Sequence, residues 1–386
     1  MKLQEWIAAL PENSRLTIFG FADVGKHLAA ALHAVRTDMV IDFCDNNSTR
    51  QGMQPEGLVL SVKDAAGELS GNHFYAIASL WHDKQMRKQL LSLGVPETAI
   101  MDALPDEIVQ EERQRELHNR VTRKNSYHIE CNIDKHCNLN CKGCDHFAPV
   151  AEPELLSPET FARDMAEIHR LYADKEGGEF HLLGGEPTLH PEIVEFMRIT
   201  RESLPKAKVV VDTNGTLLRR MSESFYEACR QYDVTISVTR YPIDVDYDAL
   251  GRWIREKGIS YEYLGSSEGG RTLWKFPLDL TGSQDPSEMF RLCRNANTCW
   301  TLEKGRLYTC SIGPNMPVFE RRFHKGIKLT DEDGIDIYKA RDAEEIAAYL
   351  ASPMPCCRYC DVKRRTYDHK WEVSRKSMNE WTEEQE

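Results

Sequence analysis

The first hundred residues alternate short apolar runs with amphipathic ones. RLTIFG (15–20) reads as a buried strand, and FADVGKHLAAALHAV as a helix with alanine and leucine on one face. DMVIDFCDNN reads as a second strand ending in turn residues. HFYAIASL reads as a third, followed by a charged helix, WHDKQMRKQLLSLG. Strand–helix alternation of this kind predicts a parallel sheet, so residues 1–103 are predicted to form a Rossmann-like domain. The next stretch, PDEIVQEERQRELHNRVTRK, is highly charged and has no glycine. It predicts a helical connector over 104–126.

A second alternating region starts near YHIECNI. EFHLLGG, KVVVDTNG and YDVTISVT are strand candidates, and SPETFARDMAEIHRLYAD, PEIVEFMRITRESL and SESFYEACRQ are helix candidates. Ser157 before Pro158, with Glu159 in the first turn, is a helix start. The repetition predicts an α/β fold with a partial (β/α) barrel over 127–290. In that architecture chemistry sits at the C-terminal strand ends, where LGGEP, DTNG and SVTR fall. Beyond Gly265 the pattern is irregular, and 291–386 forms a separate cysteine-rich segment with a charged tail.

Composition narrows the choices. A chain of 386 residues is too long for one ordinary core. A formal charge of −12 argues against a nucleic-acid partner. The first twenty residues carry charges throughout, unlike a signal peptide, and no run of 18 apolar residues predicts a membrane span. The expected location is the cytoplasm. Twelve cysteines then call for an explanation, because the cytosol disfavours disulfides. Ten of them cluster. Cys131, Cys137, Cys141 and Cys144 form one group, and six between Cys293 and Cys360 form another. Clustered thiols without disulfides point to metal. Structural zinc wants four closed ligands. Cys137, Cys141 and Cys144 offer three, with His136, His146 and Cys131 as candidate fourths. An iron–sulfur cube on three cysteines instead leaves one iron open to a substrate or cofactor. Cys44, Cys131 and Cys229 read as core residues, and His181, His190 and His324 as ordinary hydrogen-bonded histidines.

Cys137-x3-Cys141-x2-Cys144 resembles the signature of the radical S-adenosyl-L-methionine (SAM) superfamily. Further superfamily elements follow in order over Tyr127–Val238. Gly184-Gly185-Glu186-Pro187 resembles the motif whose backbone meets the SAM amino group. Asp212 and Asn214 of DTNG stand where such proteins contact the ribose, and Ser237 where a polar residue reaches SAM. Gly143 departs from the pattern, which often has an apolar or aromatic residue before the third cysteine. Phe147 or His146 is the expected substitute against the adenine. The resemblance implies a [4Fe–4S] cluster, SAM, a 5′-deoxyadenosyl radical, and an external electron donor such as flavodoxin or ferredoxin.

The second cysteine set resembles the SPASM or twitch extension, which binds an auxiliary [4Fe–4S] cluster. Gly305-x4-Cys310 and Cys357-x2-Cys360 carry that likeness. It implies Cys310, Cys357 and Cys360 as ligands, with Cys293 and Cys299 competing for the fourth place. A zinc knuckle from the same thiols is the alternative.

In the first domain, Gly20-x-Ala22-x-x-Gly25 runs from strand to helix, and Asp42 and Asp45 end the next strand. This resembles a dinucleotide fingerprint, although Asp23 stands where a pyrophosphate would be repelled. CDNNSTRQG resembles Rossmann-like units that accompany sugar-modifying enzymes. The domain is expected to have no cofactor, or to hold the nucleotide or sugar part of a substrate. Three functions follow as expectations. The first is a radical SAM enzyme that dehydrogenates or epimerises a carbohydrate or similar small metabolite, including a nucleotide-linked one. The second is a peptide-modifying maturase, and the third a zinc-stabilised binding protein.

Overall fold

The computed structural model describes residues 2–67, 71–79, 83–101, 104–112, 127–264, 273–275 and 277–382. The chain divides into two compact units, Met1–Leu117 and His118–Glu386. Residues 106–112 of the expected connector are helical, and 113–126 lie outside the described residues.

The first unit holds β1 (Arg15–Phe19), β2 (Val40–Cys44), β3 (Gly52–Gln54), β4 (Gly57–Leu60) and β5 (His73–Ile77). Their order is β3-β4-β2-β1-β5, parallel except for the edge strand β3. The three strands expected from apolar runs are β1, β2 and β5. The β3–β4 hairpin escaped the pattern because strands of three and four residues hold too few positions to show alternation. At the end of β1 the loop amide of Phe21 donates to Asp45 Oδ2 (2.8 Å), and Arg50 Nη1 also reaches that oxygen (3.3 Å). The amide that would face a phosphate thus binds a carboxylate of the chain itself.

The second unit is built on β6 (His128–Asp134), β7 (Glu179–Gly184), β8 (Lys208–Thr213), β9 (Val234–Thr239) and β10 (Tyr261–Leu264). Each pairs in parallel with the next. Helices such as Pro158–Tyr172 connect them; Ser157 caps that helix by accepting from Thr160 N, and Phe161, Met165 and Ile168 on it are buried. A short β11 (Leu273–Lys275) pairs with β15 (Thr366–His369). β12 (Trp300–Glu303) pairs in parallel with β6, and β13 (Arg306–Tyr308) and β14 (Ile335–Asp336) follow antiparallel. The cysteine-rich segment therefore shares one eight-stranded sheet with the preceding region, in the order β10-β9-β8-β7-β6-β12-β13-β14. Among the described residues this α/β sheet is open, ending at β10 and β14. No described helix is long and apolar enough to cross a membrane.

Candidate functional site

β6 ends at Asp134, and the following loop carries Cys137, Cys141 and Cys144. Asn140 (φ 50°), Gly143 (φ 60°) and Phe147 (φ 54°) adopt left-handed conformations that curl it. Gly143 precedes the third cysteine because this turn suits a residue without a Cβ. The C-terminal segment grips the loop from outside. Lys142 N donates to Glu372 O and Ser374 N to Asn140 O (both 2.8 Å). Trp371 Nε1 donates to Cys141 Sγ (3.1 Å), and Trp381 Nε1 to Cys144 O (2.8 Å).

The three cysteines, just past the C-terminal end of β6, line a cavity of about 560 Å³ that extends along the parallel strands as far as His128 and Glu179, the first residues of β6 and β7. Burial pushes the Cys137 thiol up to about 11 and the Cys144 thiol up to about 12, and neighbouring negative charges push the same way. Such thiols ionise only when a cation displaces the proton, which suits metal ligation. Three soft sulfurs on one loop, beside an open cavity, fit an iron–sulfur cluster with one exposed iron.

Gly184, Gly185, Glu186, Asp212, Asn214 and Ser237 all line the same cavity. Their local roles refine the expectation. A Cβ on Gly184 would collide with Asp134 O, and one on Gly185 with His136 O. Gly185 N donates to Asp134 O (2.8 Å) and Glu186 N to His136 O (3.0 Å). The glycines thus let β7 approach the root of the cysteine loop. Glu186 is 1% exposed and is consumed by the protein itself. It accepts from Thr213 Oγ1 (2.6 Å), Thr188 N (3.2 Å) and Asn214 N (2.8 Å). Burial nevertheless holds its pKa above the ordinary carboxylate value. Asn214 Nδ2 donates to Asn138 Oδ1 (2.8 Å), joining DTNG to the cysteine loop. Phe147 departs from the expectation. It is 1% exposed and does not line the cavity; its ring packs against Phe319 and Trp381 at centroid distances of 5.5 and 5.9 Å. Its left-handed backbone turns the ring into the core.

Beyond the cysteines, the part of the cavity wall built by β6 and β7 is polar. His128 and Glu130 on β6, and Glu179 and His181 on β7, alternate with the buried Ile129, Cys131, Phe180 and Leu182. Register pairs His128 with Glu179 and Glu130 with His181. His181 shares a hydrogen bond with Asp212 (Nδ1–Oδ2 2.6 Å) and lies 3.2 Å from Glu179 Oε2 through Nε2. Burial lowers the His181 pKa, but Asp212 and Glu179 hold it above the usual histidine value. The sequence marks His181 only as an ordinary histidine and does not single out His128, Glu130 or Glu179. The signal was present: polar residues every second position on central parallel strands, where both faces are normally apolar, mark a cavity face.

The second cysteine set splits. Cys293, Cys310, Cys356, Cys357 and Cys360 line one small pocket, about 20 Å³, otherwise walled by residues such as Met289, Ile312 and Val362. Gly305 (φ 73°) is the turn of the β12–β13 hairpin, which sets Cys310 just past β13. Burial drives Cys310 up to about 12 and also pushes Cys360 well above the ordinary thiol value. Cys357 is held below the usual thiol value by a hydrogen bond from Cys356, whose own pKa that bond raises. Five thiols and few polar competitors fit a fully cysteine-ligated cluster. Cys299 does not join them. It lines the large cavity, with Sγ within 4.8 Å of a ring nitrogen of His128 and a carboxylate oxygen of Glu130. Its place before β12, which pairs with β6, turns it to the cavity face.

Residues 132–263 match the model of the Radical SAM superfamily. The matching relatives include a GTP 3′,8-cyclase of Microcystis aeruginosa, 29% identical over 133 residues, or 33% of this chain and 37% of that protein. A probable GTP 3′,8-cyclase of Pyrococcus abyssi is 32% identical over 135 residues, 34% and 42% of the two. The matched part thus spans about two fifths of those relatives. Among solved structures, BtrN in complex with AdoMet and 2-DOIA aligns over 61% of this chain and 92% of that one, at 17% identity and a TM-score of 0.39. SuiB of Streptococcus suis bound to S-adenosylmethionine aligns over 48% and 45%, at 18% identity and a TM-score of 0.29. Residues 132–263 are thus similar to the Radical SAM superfamily, a class of enzymes that uses a [4Fe–4S] cluster and SAM.

Proposed function

We propose that Cys137, Cys141 and Cys144 hold the SAM cluster, and that the cavity beside them takes SAM and a polar small molecule. The reaction is hydrogen abstraction from a carbohydrate or similar metabolite, leading to dehydrogenation or epimerisation. Bound in this cavity, the cluster and SAM supply a 5′-deoxyadenosyl radical. The chain's residues bind, orient and exclude water. Backbone at Gly184 and Gly185 faces the methionine end, Asn214 and Ser237 offer polar groups to SAM, and Glu186 holds DTNG in place. Cys293, Cys310, Cys357 and Cys360 hold an auxiliary cluster, with Cys356 donating to one ligand. The electron enters from a cytoplasmic donor of the flavodoxin or ferredoxin kind.

The observation that carries the substrate class is the cavity's polar wall. Its described lining residues include Glu130, Glu179, Asp212 and Glu262 but no lysine or arginine. Hydroxyl and amino groups suit such a wall, whereas a triphosphate would meet carboxylates. This favours a sugar over GTP, the substrate in the relatives' names. The test is anaerobic reconstitution with deuterated sugars, amino sugars, GTP or peptides. Deuterium should pass into 5′-deoxyadenosine from a sugar-type substrate. Transfer from GTP or a peptide alone overturns the reading.

A further inference from the structure

We propose that the polar wall holds a divalent transition-metal ion, bound by His128, Glu179 and His181 opposite the cysteine loop. The proposal rests on the reading above only in taking this cavity as the substrate cavity. Zinc, manganese, cobalt and ferrous iron all suit a two-histidine, one-carboxylate set.

His181 is the anchor. Its Nδ1 lies 2.6 Å from Asp212 Oδ2, so in the neutral ring the proton sits there. Nε2 then carries the lone pair. It faces Glu179 Oε2 at 3.2 Å, and His128 Nδ1 faces the same oxygen at 3.6 Å. In that tautomer two ring nitrogens and a carboxylate oxygen converge, a set that a cation can bridge. A tetrahedral ion with bonds near 2.0–2.1 Å separates its ligands by about 3.4 Å, the middle of the observed pair. A carboxylate behind a histidine, as Asp212 stands behind His181, is the usual support of a metal ligand. On the other side of His128, Nε2 is buried without a hydrogen-bond partner, 3.5 Å from Glu130 Oε1. The two rings now stack at 4.1 Å and 19°. Binding requires them to fan apart by side-chain rotation, so that both lone pairs meet one ion.

Such an ion would keep coordination positions open toward the cavity. Two neighbouring oxygens of a hydroxylated substrate are the ligands of matching hardness. The ion would fix which carbon faces the SAM side, and the chain alone would supply the three protein ligands.

The test uses the protein with its clusters reconstituted, and Co²⁺ as the probe. Equilibrium dialysis should show about one Co²⁺ retained beyond the iron. Cobalt-edge X-ray absorption should show nitrogen and oxygen neighbours and no sulfur. His181→Ala and His128→Ala should abolish retention, and Asp212→Asn should weaken it about ten- to a hundredfold. Glu179→Gln, at a half-exposed strand position, removes a ligand with little risk to folding and should also lose the ion. Iron and sulfide should stay unchanged in all four. No retained cobalt in the wild type, a sulfur-containing shell, or equal retention by Glu179→Gln overturns the site. The stacked rings are then an imidazole pair held by carboxylates. Release of 5′-deoxyadenosine is measured in the same samples. Its loss in the wild type would count against the radical SAM reading, whereas cobalt failure alone counts only against the metal site.

Discussion

The cysteines of the β6 loop and those of the C-terminal segment share one sheet but not one environment. The first three open onto about 560 Å³ of cavity lined by carboxylates, imidazoles and hydroxyls alongside apolar side chains such as Leu139, Leu183 and Leu264. The other pocket is about 20 Å³, and its lining beyond the thiols is mainly apolar. An open set leaves room for a cofactor and a substrate to reach the metal. A closed set has no such room and suits structure or electron storage. Cys299 sharpens the contrast, since it belongs by sequence to the second set and by position to the first cavity.

The largest effect should come from breaking the open set. Changing Cys137, Cys141 and Cys144 together to alanine should abolish reductive SAM cleavage while leaving about four irons in the closed pocket. Iron analysis and chromatography of 5′-deoxyadenosine read both sides. Continued 5′-deoxyadenosine formation would remove the open set's assigned role. Near-zero iron would remove that of the closed set.

Next in size is the division between Cys293 and Cys299. Cys293→Ala should lose the auxiliary iron and lower thermal stability, because the emptied pocket lies in the core. Cys299→Ala should leave iron content unchanged, because Cys299 lies outside that pocket. If Cys299→Ala instead loses four irons, the contrast between open and closed sets fails.

A smaller effect concerns Glu186. Replacing it with alanine strands the Thr213 and Thr188 hydroxyls and two amide donors. Stability should fall by about 1–3 kcal/mol for each buried group left unpaired. Denaturant unfolding of cluster-loaded protein measures this, and an unchanged midpoint would show that water replaces the carboxylate. Loss of SAM affinity should follow from a loosened DTNG rather than from a lost direct contact.

The smallest expected effect is a pH dependence at the polar wall. Asp212 and Glu179 hold the His181 pKa above its unfolded value against the opposing effect of burial. Their stabilisation is therefore fully present below about pH 6.5, the unfolded histidine value, and is lost as pH rises through the folded pKa. Urea midpoints of metal-free protein should show this slope, and Asp212→Asn should flatten it. A slope of equal size in the variant would assign it to another group.

Much of this molecule could be read along the chain. RLTIF, VIDFC, HFYAI, FHLLG and KVVVDT are strands in the fold. The spacing of Cys137, Cys141 and Cys144, with GGEP and DTNG at successive strand ends, announced one site. These features are local: strand alternation has a period of two, and a loop of eight residues carries its own three thiols. What stayed hidden depends on distant segments. That β12 lies beside β6, sending Cys299 into the cavity and away from the other late cysteines, follows from strand pairing across some 170 residues. That Phe147 turns into the core depends on Phe319 and Trp381. His128, Glu130, Glu179 and His181 form one wall because β6 and β7 pair in register. Sequence spacing records the order of side chains along a strand, but only packing sets which strand is the neighbour and which face is left open.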